Sequence, residues 1–317
     1  MSFMYNPFPF DDPKPINRPK LSEKTINSIV TGGTPNVAKK FVAQLADRIK
    51  SEGVIVGIDG YTTANWNLFL NLLARECVIN GFEFEAVDSV KAVLKPGKEI
   101  DDMIDPLLIW DTKIDPTLLF GKLYHGGYIG LFDEAKVADF KAAVPAMKAP
   151  GKLTVVAGYG CMIPEFRDMY DVKCWFDITP MRTMLRIRGG EYANLGKERP
   201  GIINRIIRRC YYCDFECAVQ LRKDLWKNNV LDFYFLDNDP KKLQMMPFES
   251  FADICAELVK YPFRAKPCYL EGVWGGSYMK KYRNLPEEMK NAAWVFDFIP
   301  MEVSVLVEAG KEMLDIN

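Results

Sequence analysis

The sequence predicts an α/β fold: a doubly wound, mostly parallel sheet with an N-terminal extended arm and a small β-rich C-terminal segment. Three observations carry that expectation. Short apolar runs alternate with segments whose apolar residues recur every three or four positions, the periods of buried strands and amphipathic helices. The runs end at small or acidic residues, among them Gly60, Asp88, Asp111, Gly158 and Asp177. Prolines crowd the start of the chain, and after Lys260 aromatics and short alternating runs replace the strand–helix texture.

The elements follow in order. Pro7, Pro9, Pro13, Pro15 and Pro19 fix φ and remove donors, so residues 1–33 begin as an extended arm. Phe3, Tyr5, Phe8 and Phe10 suit it for packing on another surface. Val37, Phe41, Leu45 and Ile49 put a helix at Asn36–Lys50, and Gly53 stops it before a buried strand at Val54–Ile58. Asn67–Asn80 is helical and Phe82–Val87 is a strand reaching Asp88. The apolar run Ile104–Trp110 leads to Asp111 in the same way. A helix at Glu134–Met147, strands at Leu153–Ala157 and Val172–Ile178, and a helix at Pro180–Arg188 follow, the last with proline in its first turn. A long helix at Ile202–Asn228, a strand at Leu231–Leu236 and a helix at Phe248–Lys260 complete a body spanning residues 34–260. Residues 261–317 form the tail. Parallel sheets of this kind place ligands at the carboxyl ends of their strands.

Composition narrows the function classes. The chain has 317 residues, 49% apolar and 26% charged, as in an ordinary water-soluble protein. Lys plus Arg is 41 against 42 for Asp plus Glu, so no general field draws it to nucleic acid or to an anionic membrane. No apolar run reaches the roughly 18–20 residues of a membrane span, and the N-terminus lacks the basic-then-apolar pattern of a signal peptide. Together with eight scattered cysteines, read as reduced thiols, this predicts a cytoplasmic protein. The single histidine, His125, sits in a Tyr-His-Gly-Gly turn. Histidine-rich zinc sites need more than one, and no G-x-S-x-G elbow accompanies it.

Gly60 opens the stretch that bears most directly on function. A strand, a glycine turn and a helix make up the layout of the phosphate loop G-x-x-x-x-G-K-[ST], in which backbone amides cradle phosphate, lysine reaches the β/γ oxygens and the hydroxyl binds magnesium. With Gly60 as the first glycine, Asn65 takes the second glycine's place, Trp66 the lysine's and Asn67 the hydroxyl's. Loop length is kept while all three chemical positions change. Gly60, Thr62, Thr63, Asn65 and Asn67 are the loop's candidates for contact with a phosphate or nucleotide.

The order of later features resembles the uridine kinase and phosphoribulokinase group of P-loop kinases, over roughly residues 50–240 and with no motif of the group intact. Phe84-Glu85-Ala86-Val87-Asp88-Ser89 is similar to the strand whose acidic end serves the acceptor hydroxyl, which implies a catalytic place for Asp88. Ala157, before Gly158, stands where the group has glutamate. Phe166-Arg167-Asp168 resembles its Leu-Arg-Asp turn, and Arg182, Arg186 and Arg188 its arginine-rich helix, with Gly189-Gly190 and Asn194–Pro200 as the lid. The resemblance implies Arg167, Arg186 and Arg188 as phosphate or nucleotide contacts, and ATP and magnesium as the cofactors. Without lysine, hydroxyl and glutamate, ordinary ATP-dependent phosphoryl transfer is disfavoured.

Arg264-Ala265-Lys266-Pro267 through Trp274-Gly275-Gly276, with Asn291–Phe298, resembles the opening strands of class I mannose-6-phosphate isomerases. That family's zinc ligands lie further along its barrel than Asn317 reaches, so a complete isomerase centre is not expected here. Other patterns are weaker. Cys210, Cys213 and Cys217 share a helix face without a fourth ligand and read as core, so no metal site is expected. Gly158-Tyr159-Gly160 lacks the third glycine of a dinucleotide fingerprint. Tyr211, Tyr212, Phe215 and Trp226 near Arg208 and Arg209 read as packing rather than as base-stacking.

Three functions remain. The first is a non-catalytic or regulatory kinase-like protein linked to sugar-phosphate metabolism, binding a nucleotide or a sugar phosphate. The second is an active small-molecule kinase, for a nucleoside or a sugar, with an atypical phosphate site. The third is a structural or assembly protein, a homo-oligomer joined through the arm or the tail.

Overall fold

The computed structural model describes residues 16–111, 113–114, 120–260, 263–267, 293–294 and 303–317. Along the chain run β1 (Ile16–Asn17), α1 (Glu23–Asn27), α2 (Thr34–Glu52), β2 (Val54–Gly60), α3 (Asn67–Ile79), β3 (Glu83–Asp88), α4 (Ser89–Val93), α5 (Gly97–Ile104), α6 (Gly127–Gly130) and α7 (Glu134–Ala143). Then come β4 (Lys152–Ala157), β5 (Val172–Asp177), α8 (Pro180–Arg188), α9 (Ile203–Arg209), α10 (Phe215–Lys227), β6 (Phe233–Leu236), β7 (Gln244–Pro247) and α11 (Phe248–Leu258). The last strands are β8 (Arg264–Pro267), β9 (Ala293–Trp294), β10 (Val303–Ala309) and β11 (Glu312–Ile316).

Two compact units result. One holds the described residues within Met1–Ile29, Thr179–Arg182 and Glu249–Asn317; the other holds those within Val30–Ile178 and Thr183–Phe248. The larger unit is built on a six-stranded sheet in the order β3-β4-β2-β5-β6-β7. All its pairings are parallel except β6 with β7. From β2 the chain crosses to β3 on one side and later returns to β5 on the other, so the topological switch lies at the end of β2.

The β-branched run that opens β2 suits a central strand covered on both faces, and all seven of its residues are buried. Helix α2 lays Val37, Phe41, Leu45 and Ile49 against the sheet, as its period requires. The ring of Phe41 meets Phe69 of α3 at 5.6 Å between centroids, and Phe176 stacks on Phe235 at 4.5 Å. Each fully buried phenylalanine contributes about 1.5–3 kcal/mol, so this cluster anchors α2 and α3 on the sheet.

The smaller unit has a second sheet, β1-β10-β8-β9, with β11 paired to β10. Residues 1–15 of the expected arm lie outside the described residues, but Ile16 and Asn17 pair in parallel with Leu306 and Val307. Of the isomerase-like segment, Arg264 and Ala265 pair antiparallel with Trp294 and Ala293. The Trp274-Gly275-Gly276 motif and residues 295–298 lie outside the described residues.

Three expectations need correction. The run Ile104–Trp110 is no strand: it turns at Asp105–Leu107 and makes only an isolated bridge between Leu108 and Gly121, so Asp111 ends no strand of the main sheet. Pro106 lacks the donor that a ladder needs. The long helix at 202–228 is interrupted by a π turn at Cys210–Asp214 between α9 and α10. Strand β7 was not expected, because Gln-Met-Met-Pro has neither alternation nor length.

Candidate functional site

A cleft of about 880 Å³ opens at the carboxyl ends of β2, β3 and β4. Residues Thr63–Asn67 form one wall, Asp88, Val90 and Lys91 another, Ala157–Tyr159 the floor, and Glu191–Glu198 a covering segment. This is where the sheet's topology places a ligand.

The loop after β2 begins at Gly60. A Cβ there would lie 2.6 Å from the Phe176 carbonyl oxygen and 2.8 Å from the Ala64 side chain, so the turn needs glycine. Tyr61 N–H donates to that same carbonyl at 2.9 Å, and Ala64 N–H closes the turn on Tyr61 O at 2.8 Å. Thr63 then takes φ +75°, a left-handed conformation that is strained for a β-branched residue. Its hydroxyl is buried without a hydrogen-bond partner. Thr62 Oγ1 donates to the Asp214 carbonyl at 3.1 Å.

What holds this loop is its own protein. Asn65 N–H donates to Asp237 Oδ2 at 2.6 Å. Arg186 donates through Nη1 to Asp237 Oδ2 at 2.7 Å and to Thr63 O at 2.7 Å. Its Nη2 reaches the Asp237 backbone carbonyl at 2.7 Å. Both side chains of this ion pair are buried. Asn65 Oδ1 accepts from Asn67 N–H at 3.0 Å, capping α3, and Asn67 itself is exposed. The indole of Trp66 packs edge-on against Tyr159, 5.2 Å between centroids, and Tyr159 donates its hydroxyl to Ala64 O at 3.0 Å.

Asp88 caps α4 by accepting from Lys91 N–H at 3.1 Å, and its carboxylate lies 3.5 Å from Lys91 Nζ. It is half-exposed and faces the cleft with Lys95 and Lys136. Those two lysines donate to the carbonyls of Gly130 and Leu94, each at 2.9 Å, and among the described residues neither has a carboxylate partner.

The covering segment is pinned from behind. Tyr192 donates its hydroxyl to Asp214 Oδ2 at 2.9 Å and Asn194 Nδ2 donates to the same oxygen at 2.7 Å. Burial pushes the Asp214 carboxyl above its ordinary value, against the opposing pull of Arg209, Asn194 and Tyr192. Arg209 donates to Leu195 O at 2.7 Å. Lys197 and Arg209 both bind Asp101; desolvation opposes ionisation there, but their hydrogen bonds hold its carboxyl below the ordinary range. A Cβ on Gly97 would lie 2.2 Å from the Gly196 carbonyl oxygen, so the segment seats directly on the start of α5.

The structure therefore gathers Thr63, Asn65, Asn67 and Asp88 around one cleft, with Gly60 and Thr62 buried beneath the loop. Arg186, expected to meet phosphate, turns inward to Asp237. Arg188 is exposed and outside the cleft lining, and Arg167 pairs with Asp224 at 2.6 Å, away from it. Asp237, Lys95 and Lys136 were missed. Asp237 follows strand β6 as Asp88 ends β3, and that shared strand-end position is the signal that could have found it. Lys95 lies in the loop between α4 and α5 and Lys136 in the first turn of α7, neither within a motif. Among the described residues no group of three or more His, Cys, Asp or Glu is placed to hold a metal ion. The loop does not fit magnesium-bound ATP: Trp66 supplies no cation, Asn67 no hydroxyl, and the Asn65 amide is already bonded to a carboxylate.

Comparison with known proteins places the chain in a family. The profile of DUF8485, described as a domain of unknown function, matches residues 41–260. The chain belongs to this family. The matched span reaches from within α2 to just past the end of α11 and so contains the whole six-stranded sheet and the cleft. No curated protein matches the chain. Similar solved structures include a candidate fructose transport system kinase from Silicibacter sp. TM1040, with TM-score 0.40 and 13% identity over 60% of this chain and 94% of that one. A candidate uridine kinase from Bacillus stearothermophilus has TM-score 0.38 and 12% identity over 62% of this chain and 97% of that one. Phosphoribulokinase from Rhodobacter spheroides has TM-score 0.34 and 11% identity over 58% of this chain and 69% of that one.

Proposed function

We propose that this DUF8485 protein is a non-catalytic, regulatory kinase-like protein that binds a small phosphorylated sugar in the cleft and transfers no phosphoryl group. One observation carries the reading: the Asn65 amide and the Arg186 guanidinium, the donors a phosphate donor would need, are both spent on Asp237. An internal carboxylate neutralised by an internal guanidinium leaves that side of the loop with no charge to offer. The opposite wall keeps Asp88, suited to accept from a sugar hydroxyl, and Lys95 and Lys136, suited to meet a phosphate. The isomerase-like tail sequence supports the link to sugar-phosphate metabolism.

A second reading, a small-molecule kinase with an atypical phosphate site, draws its support from Asp88 as a base beside those lysines. One experiment separates the two. The full chain is titrated with a panel of hexose phosphates by calorimetry, and ADP release from magnesium-bound ATP is followed in parallel. Saturable hexose phosphate binding, weakened at least about tenfold by Lys136→Ala, with no ADP formed, is the expected outcome. Turnover abolished by Asp88→Asn would establish the kinase instead, and absence of binding by every sugar phosphate would end the proposed role.

A further inference from the structure

Behind the covering segment lies a second cavity of about 530 Å³, whose lining includes Trp110, Asn194, Lys197, Arg199, Arg205 and Arg209. Asn194 and Lys197 line both cavities, so this part of the segment is the wall between them.

The charge count is uneven. Lys197, Arg199, Arg205 and Arg209 contribute four cations to the lining, and Asp105 is the one acid among the described lining residues. Asp101 pairs with both Lys197 and Arg209, and the buried Asp214 adds its own pull on Arg209. Arg199 and Arg205 are exposed and have no carboxylate partner among the described residues. Arg205 is nevertheless held in place: its guanidinium lies over the Trp110 ring at 5.2 Å, while Arg208 covers the same ring at 4.8 Å. Stacking on indole fixes a guanidinium's plane while leaving its edge donors open. Arg209 is 3% exposed, and its Nε is buried with no hydrogen-bond partner. A buried guanidinium with an unspent donor costs stability unless an acceptor meets it. A concave surface with excess charge of one sign concentrates counter-ions of the other.

We infer that this cavity is a second anion site, for a small molecule carrying two or more phosphate or carboxylate groups. Two charges match Arg199 and Arg205, which have no carboxylate partner among the described residues. Carboxylate and phosphate groups both offer two oxygens that accept together from one guanidinium edge. Because Lys197 and Arg209 hold the covering segment through Asp101 and Leu195, an anion here bears on the wall of the first cleft without entering it. The site stands whatever the first cleft binds.

The test is calorimetry on the full chain with tripolyphosphate and with citrate, at ionic strength matched by potassium chloride. Both probes should bind to the native chain, and Arg199→Ala/Arg205→Ala should lose at least about tenfold in affinity. Tighter tripolyphosphate binding would identify phosphate as the recognised group, and tighter citrate binding would identify carboxylate. The tryptophan emission change on binding should disappear in Trp110→Phe, which reports on the same cavity without removing a charge. Circular dichroism shows whether each variant is folded, and Arg199→Gln alone, at an exposed position, serves if the double variant is not. The loss caused by Arg199→Ala/Arg205→Ala should be equally large in a Lys136→Ala background, whatever the first cleft itself takes up. Equal affinity in the native and arginine-substituted chains, or a loss confined to Lys136→Ala, would overturn the inference, as would no binding beyond the chloride control.

Discussion

Asp59 is the second-to-last residue of β2, just before Gly60, and is fully buried. It accepts from Gly60 N–H at 2.8 Å and Met162 N–H at 3.0 Å. Desolvation still dominates and pushes its carboxyl from 3.8 up to about 7. Below about pH 3 the group is protonated in both folded and unfolded chains. As pH rises from there to 7, the unfolded chain ionises while the folded one holds its proton. Stability then drains at about 1.4 kcal/mol per pH unit, for a total of about 4 kcal/mol. Asp59→Asn should therefore flatten the fall in stability between pH 4 and 7, read as urea midpoints across that range. Parallel curves for the two proteins would refute the shift. Thr63 makes a second residue-scale case. Its positive φ and its unpartnered hydroxyl both cost stability. Thr63→Gly should raise stability by about 1–2 kcal/mol, whereas Thr63→Val should give no such gain.

At the scale of elements, the strand–loop–helix unit at 54–79 was legible in advance, because its parts are local: a β-branched run, a glycine turn and an apolar period. Its chemistry was legible only by default, through what Trp66 and Asn67 lack. What occupies the loop was not legible, since Asp237 lies 172 residues from Asn65 and Arg186 lies 123 residues from Thr63. No local pattern encodes such pairings. The π turn at Cys210–Asp214 was hidden for a related reason: helical periodicity continues through it, and only the inward Asp214 marks the extra residue. That aspartate joins the Thr62 hydroxyl through its carbonyl to Tyr192 and Asn194 through its carboxylate. Asp214→Ala should leave the buried Tyr192 hydroxyl without its acceptor and Asn194 with only the Ile206 carbonyl and Cys210 Sγ, and so release residues 191–198. Hydrogen exchange in that segment should quicken at least about tenfold while β2 and β4 stay protected. Unchanged exchange would mean that the segment is held by its seat on Gly97 instead.

For the whole molecule, the α/β class and the strand ends followed from alternation, and the structure keeps both for β2, β3, β4 and β5. The short tail strands carried less signal, and the pairing of Ile16 with Leu306 joins segments 290 residues apart, which only the folded chain reveals. The same organisation sets two cavities about one covering segment, with a balanced global charge of 41 cations against 42 anions resolved into a locally cationic patch. The central claim is that the loop after β2 is occupied by the protein's own Asp237 and Arg186 rather than open to a nucleotide. Calorimetric titration of the full chain with magnesium-bound ATP into the millimolar range, with and without Arg199→Ala/Arg205→Ala to separate the second cavity, tests it most directly. The account predicts that any heat of binding disappears with those two arginines, leaving none for the loop. Saturable binding that survives their removal and is lost in Asn65→Pro, which deletes the amide bonded to Asp237, would contradict it.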